Sequence, residues 1–181
     1  CYSISSLIAI FFVLCFVGWL WEVVLYIVRD GIFVNRGTLF GPWLPIYGSG
    51  SVMILLLLRR LRVKPWLEFI AAVILCGTIE YMTSYILEVM YNGVKWWDYN
   101  GTFLNLNGRI CAEGLIVFGL GGIAVVYIIA PFLDNLIRRI KMRVLIPVLA
   151  VLVLLFSADC VYSHYHPNTG KGITDFSETH V

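Results

Sequence analysis

The residues in this chain with the types needed for binding or proton chemistry stand in or beside apolar sequence: Glu22, Asn35, Arg36, Tyr47, Glu80, Glu88, Asp98, Asn107, Arg109 and Glu113. Arg36 and Arg109 each sit by a glycine, in Asn35-Arg36-Gly37 and Asn107-Gly108-Arg109. A guanidinium fork matches a carboxylate or a phosphate, and a helix N-terminus nearby strengthens the attraction for an anion. Glutamates beside such a fork balance charge, hold a cation or relay protons. Glu80, Ser84 and Glu88 fall at i, i+4 and i+8, on one face of a helix. A structural reading stands next to this one. Arg36 and Arg109 would pair with Glu22, Glu88 or Glu113 and lock loops onto helices, because buried charges are normally paired.

The elements that must position these residues are membrane helices. The 181 residues are 60% hydrophobic and 13% charged, against about one quarter charged in a soluble domain. The sequence therefore predicts an all-α polytopic membrane protein with five spans, at about residues 4–28, 38–58, 66–90, 111–133 and 144–162. Residues 1–162 make one membrane domain, and 163–181 a polar extracytoplasmic tail. The expected architecture is two helical hairpins plus a fifth span. In both hairpins a helix bearing a glutamate leads to a polar loop, an arginine, a second helix and a basic exit. Gly48 and Gly121 each fall twelve residues after their arginine, as an ancient duplication would leave them.

The second span is expected to be broken or kinked. Beyond Gly50 only Ser51 to Leu58 runs uninterrupted, about 12 Å at 1.5 Å per residue. Its outer half must include Gly41, Pro42, Pro45, Gly48 and Gly50. Either these residues line a cavity as irregular backbone, or they kink a helix whose glycines let neighbours approach.

Arg59, Arg60, Arg62 and Lys64 fill the second connection, and Arg138, Arg139, Lys141 and Arg143 the fourth. The positive-inside rule places both in the cytoplasm, with the N-terminus inside, the C-terminus outside and both arginine loops outside. Both basic connections are too short for an obvious coupling helix. Glu68 and Asp134 then fall at cytoplasmic ends and read as interfacial. The net charge of +2 follows from this topology and gives no reason to expect a nucleic-acid partner.

Cys1, Cys15, Cys76, Cys111 and Cys160 do not form a disulfide framework; a Cys111–Cys160 bridge is one reading. A start at Cys1 reads as a truncated N-terminus or a lipidated one. Trp96, Trp97 and Tyr99 form either an interfacial aromatic belt or part of a structured cap over the hairpins. His164 and His166 lack companion ligands at metal spacing, so neither a metal nor a cofactor is expected. The chain has no P-loop and no GxSxG or HExxH motif, so no ATPase or recognised catalytic motif is present.

Several motifs occur in order: Gly18-Trp19-Leu20-Trp21-Glu22, Asn35-Arg36-Gly37, Gly41-Pro42, Pro45-Ile46-Tyr47-Gly48, Glu80-Tyr81, Trp97-Asp98-Tyr99 and Asn105-Leu106-Asn107-Gly108-Arg109-Ile110. Through them residues 14–133 resemble the Putative ABC-transporter type IV (CmpB-like) permease family of small bacterial membrane proteins. The resemblance implies a permease component in the bacterial cytoplasmic membrane that works with a separate ATPase subunit. With the residues, it gives the leading expectation, a transporter whose outward-facing polar pocket takes a small anionic or zwitterionic solute or a lipid head group. The alternatives are a membrane-embedded enzyme acting on a lipid or lipid-linked substrate, and a structural or regulatory subunit. Membrane lipids and a second copy of the chain are further expected partners.

Overall fold

A computed structural model of the chain describes residues 2–175. These contain five helices: α1 Ile4–Asp30, α2 Pro45–Leu57, α3 Pro65–Met90, α4 Ala112–Ile137 and α5 Met142–Tyr165. All but α2 are long and apolar enough to cross a membrane. No strand occurs among the described residues, only two isolated bridges. The expected all-α architecture with an irregular second span is the one observed.

The local chemistry explains the helix limits. Ser3 caps α1 by accepting from the Ser6 backbone N–H at 3.1 Å, and Gly31 ends it in the left-handed region at φ 69°, which a glycine enters at little cost. Pro65 opens α3 at a position where its missing N–H is not needed. Pro45 opens α2 in the same way, and residues 31–44 before it are non-helical. At 13 residues, α2 is about 20 Å long, short of the roughly 30 Å hydrocarbon core.

The interruption therefore lies at Gly41-Pro42, ahead of the helix, while Gly48 and Gly50 are helical. Gly48 has a packing reason instead. A Cβ there would collide with the Cys15 sulfur and come within 2.6 Å of the Phe11 carbonyl oxygen, so only a bare backbone permits the close approach to α1.

The residues form two compact units. Unit 1 comprises the residues up to Gly48 and those from Leu133 onward; unit 2 comprises Ser49–Phe132. In unit 1, α1 packs against α5, the helix without a hairpin partner. The Phe156 ring lies edge-on to Phe11 at 5.6 Å and to Phe12 at 5.8 Å, a favoured geometry for aromatic pairs.

In unit 2, α3 and α4 meet along small residues. Gly77 faces Leu115, Gly119 faces the Phe69 ring and Gly122 faces Ala72, a small-residue seam typical of membrane helices. Ile70, Ile74, Val117, Leu120 and Ile128 point outward from this pair, as lipid-facing side chains do. Glu68, in the first turn of α3, is fully buried. α4 contains a π-helical turn at Val125–Ile129, which the sequence does not announce.

Candidate functional site: two arginine clusters

In unit 1, the loop after α1 carries Asn35 and Arg36, while α1 presents Glu22 and, one turn later, Tyr26. Glu22 Oε1 accepts from the Tyr47 hydroxyl at 2.7 Å, and its Oε2 lies 3.7 Å from Arg36 Nε. The Arg36 guanidinium stacks on the Tyr26 ring at 4.6 Å. Its Nη1 donates to the carbonyls of Gly172 at 2.9 Å and Ile173 at 3.4 Å. Arg36 is 8% exposed. Its binding fork is thus occupied by a carboxylate, an aromatic face and the chain's own tail.

The same loop is tied down at further points. Trp19 Nε1 donates to Asn35 Oδ1 at 2.6 Å, and Asn35 Nδ2 donates to the Phe40 carbonyl at 2.9 Å. From the tail, Asn168 Nδ2 donates to the carbonyls of Asn35 at 2.8 Å and Gly37 at 3.2 Å. Asp159 of α5 accepts from the backbone N–H of Phe40 and Gly41, from Trp43 Nε1 at 2.7 Å and from Ser163 Oγ at 3.0 Å. The irregular backbone before α2 is held by this carboxylate, which supplies the acceptors that a missing helix would have provided.

In unit 2, α3 presents Glu80, Tyr81, Ser84, Tyr85 and Glu88, and the loop from Tyr91 to Cys111 folds back on them. Arg109 Nη2 donates to Glu88 Oε2 at 2.6 Å. The guanidinium lies 5.4 Å from the Tyr81 ring and 5.5 Å from the Tyr85 ring, within cation–π range. Asn107 Nδ2 donates to the Tyr81 hydroxyl at 2.9 Å, and the Tyr99 hydroxyl donates to Glu80 Oε1 at 2.9 Å. Arg109 Nε is buried and has no hydrogen-bond partner among the described residues.

The loop itself is a structured cap. Trp96 is buried against Tyr91, with ring centroids 5.0 Å apart, and burial pushes the Tyr91 phenol above its usual range. Trp97 Nε1 donates to the Arg109 carbonyl at 3.0 Å. Asn107 and Gly108 turn the chain through left-handed conformations at φ 56° and 68°, which asparagine and glycine tolerate best.

The clusters take in most of the expected site residues, each within its own unit: Glu22, Asn35, Arg36 and Tyr47 in the first, Glu80, Glu88, Asn107 and Arg109 in the second. Asp98 lies against Gly108, where an added Cβ would meet its Oδ1. It accepts from the Asn100 backbone and side chain, both at 2.9 Å, and from Lys95 Nζ at 3.4 Å, a local turn that shapes the cap. Glu113 is exposed in the first turn of α4 and makes no side-chain hydrogen bond or ion pair among the described residues. Cys15, Cys76, Cys111 and Cys160 are free thiols.

Sequence reasoning missed Asp159, although a carboxylate inside an apolar span is itself a signal. It also missed Tyr81 and Tyr85, which share a helical face with Glu88. Asn168 carried no signal, because its role depends on the tail returning to the loop.

Long apolar helices with arginine–carboxylate pairs at their loops define a multi-pass membrane protein. A family model described as Putative ABC-transporter type IV matches residues 9–164, most of the chain, and the protein belongs to that family. No curated protein and no solved structure matches it.

Proposed function

We propose that the chain is a membrane component of a transporter, and that Arg109 receives the anionic group of a small anionic or zwitterionic solute or of a lipid head group. One observation carries this reading: Arg109 is only partly used. Glu88 takes one guanidinium nitrogen, yet the buried Nε makes no hydrogen bond, a costly state that an incoming carboxylate or phosphate relieves. The carboxylates of Glu88 and Glu80 supply complementary charge for an ammonium on the same solute, and Tyr81 and Tyr85 wall the site. Asn107 orients Tyr81.

A structural role suits Arg36 better: its Nε, like that of Arg109, is buried without a hydrogen bond, but its Nη1 is spent on two carbonyls of the chain. In the proposed setting, a bacterial cytoplasmic membrane, the basic connections face the cytoplasm and the Arg109 loop faces out. A separate ATPase subunit, which family membership suggests as a partner, would supply the energy.

The test is binding of radiolabelled inorganic phosphate, glutamate and glycerophosphocholine to the full chain in lipid nanodiscs. At least one probe is expected to bind saturably, with tenfold or greater weakening in Arg109→Ala and partial recovery in Arg109→Lys. Failure of all three to bind the parent, or equal binding by Arg109→Ala, would overturn the reading. Repeating the assay in nanodiscs with and without an anionic lipid separates a head group from a free solute, because the head group competes with the probe.

A further inference from the structure

The first turn of α3 carries a fully buried carboxyl that neither arginine cluster uses. Glu68 lies in the first turn of α3 and is 0% exposed. No donor among the described residues reaches Oε1 or Oε2. Glu80, nearly as buried, differs in accepting from Tyr99. Ala72, one turn after Glu68 on the same face, meets Gly122 so closely that a Cβ on the glycine would come within 2.6 Å of it. The Phe69 ring presses on Gly119 in the same manner. Glu68 is therefore buried one turn before the close approach of α3 and α4 at Ala72 and Gly122.

From the α2–α3 connection, Arg62 is the charge that acts on Glu68, and its Nη2 donates to the Leu55 carbonyl at 2.9 Å. From α4, the Tyr127 hydroxyl donates to the Arg62 carbonyl at 2.7 Å. The nearby end of α2 brings the buried apolar Ile54 and Leu55. Arg59, Arg60 and Lys64 are exposed. Tyr127 belongs to the π-helical turn of α4, and such turns occur frequently at functional sites. An ionised carboxylate without donors is costly in this enclosure, whereas the neutral acid is tolerated.

We propose that Glu68 is a proton-binding site. Its carboxyl carries a proton in this arrangement, taken from solvent at the end of unit 2 that bears the basic connection. The proton returns there when local opening at the start of α3 exposes the carboxyl. Uptake forms one O–H bond on a carboxylate oxygen at the expense of hydronium, and release reverses it. Arg62 is a positioning residue, fixed by Leu55 and by Tyr127 beside the path of entry. This inference does not rest on solute binding at Arg109.

The experiment compares infrared spectra of the full chain and of Glu68→Gln in nanodiscs at pH 7. The parent is expected to show the carbonyl stretch of one protonated carboxyl that the variant lacks, with no change in the carboxylate bands. Loss of carboxylate intensity instead would overturn the proposal. Glutamine copies the neutral acid, so an unchanged thermal midpoint is also expected; a lowered one indicates a lost ion pair with Arg62 and counts against it. Should the variant not fold, labelling of the parent with N,N′-dicyclohexylcarbodiimide decides, since this apolar reagent adds the O–H of protonated carboxyls across its C=N bond. Glu68 is expected to label at least tenfold more than the exposed Glu113 of the same sample. Equal or lower labelling overturns the proposal.

Discussion

Arg36 and Arg109 look alike in sequence, each an arginine beside a glycine and an asparagine after an apolar helix, but the fold uses them differently. Arg36 is held by Glu22, the Tyr26 face and two tail carbonyls. Arg109 has one short bond to Glu88 and two tyrosine faces, while Nε is buried without a hydrogen bond in both arginines. Their side-chain exposures, 9% and 14%, barely separate them. Neither burial nor the bare Nε therefore distinguishes a lock from a binding group; the main-chain carbonyls that Arg36 binds do. The tail makes the difference, because Arg36 receives the carbonyls of residues 172–173, while no carbonyl among the described residues accepts from the Arg109 guanidinium.

The largest effect that this contrast predicts is on stability. Arg36→Ala leaves Glu22 without its ion pair and two carbonyls without a donor, and is expected to cost about 3–5 kcal/mol in denaturant or thermal unfolding. Arg109→Ala is expected to cost less, about 1–3 kcal/mol, the range for a hydrogen bond to a charged group, while abolishing solute binding. The reverse order would show that Arg109 is the lock. Next comes Asp159→Ala, which strips acceptors from Gly41, Phe40, Trp43 and Ser163. Orphaned donors cost about 1–3 kcal/mol each when they stay dry, so a loss of at least about 2 kcal/mol is expected in unit 1, together with faster proteolysis at Gly41-Pro42. Unchanged cleavage would mean that the loop is held by Asn35 and Asn168 alone.

Most of the architecture was legible because the bilayer limits the options: long apolar stretches must be helical, and a stretch broken by glycine and proline must be irregular there. The same logic brought out Arg36, Arg109 and their glutamates as charges out of place. Three things were not legible. The return of the tail onto Arg36 depends on contacts between residues more than a hundred positions apart, for which a local pattern gives no cue. The burial of Glu68 depends on tertiary packing, and a first-turn glutamate otherwise reads as ordinary helix-end chemistry. The turn that Asp98 caps was not read either, although Asp98-Tyr99-Asn100 has the composition of a side-chain-capped turn.

A smaller effect compares the two glycines that follow the arginines at equal spacing. Gly48→Ala drives a methyl into the Cys15 sulfur and the Phe11 carbonyl, so a loss of about 1–3 kcal/mol is expected from overpacking. A Cβ added at Gly121 of α4 would meet nothing within 4 Å, and Gly121→Ala should be neutral or stabilise by up to about 1 kcal/mol through helix propensity. Thermal unfolding of both variants reads the difference. Equal losses would show that the two hairpins pack alike despite their different surroundings.

The smallest expected effect is the most informative about where the second cluster ends. Glu113 shares the loop region with Arg109 and by sequence belonged to its circle of carboxylates, yet it is exposed in the first turn of α4 without a side-chain partner among the described residues. Its remaining contribution is the attraction between a negative charge and the positive end of a helix, which salt screens. Glu113→Gln should therefore change stability by no more than about 0.5 kcal/mol, and that change should shrink as salt is raised. Solute binding at Arg109 should stay within twofold of the parent. A tenfold loss of binding in Glu113→Gln would mean that α4 supplies a charge to the bound state. The unsatisfied Nε of Arg109 would then mark a site completed by movement of the α4 N-terminus, and not one already formed by α3 and its cap.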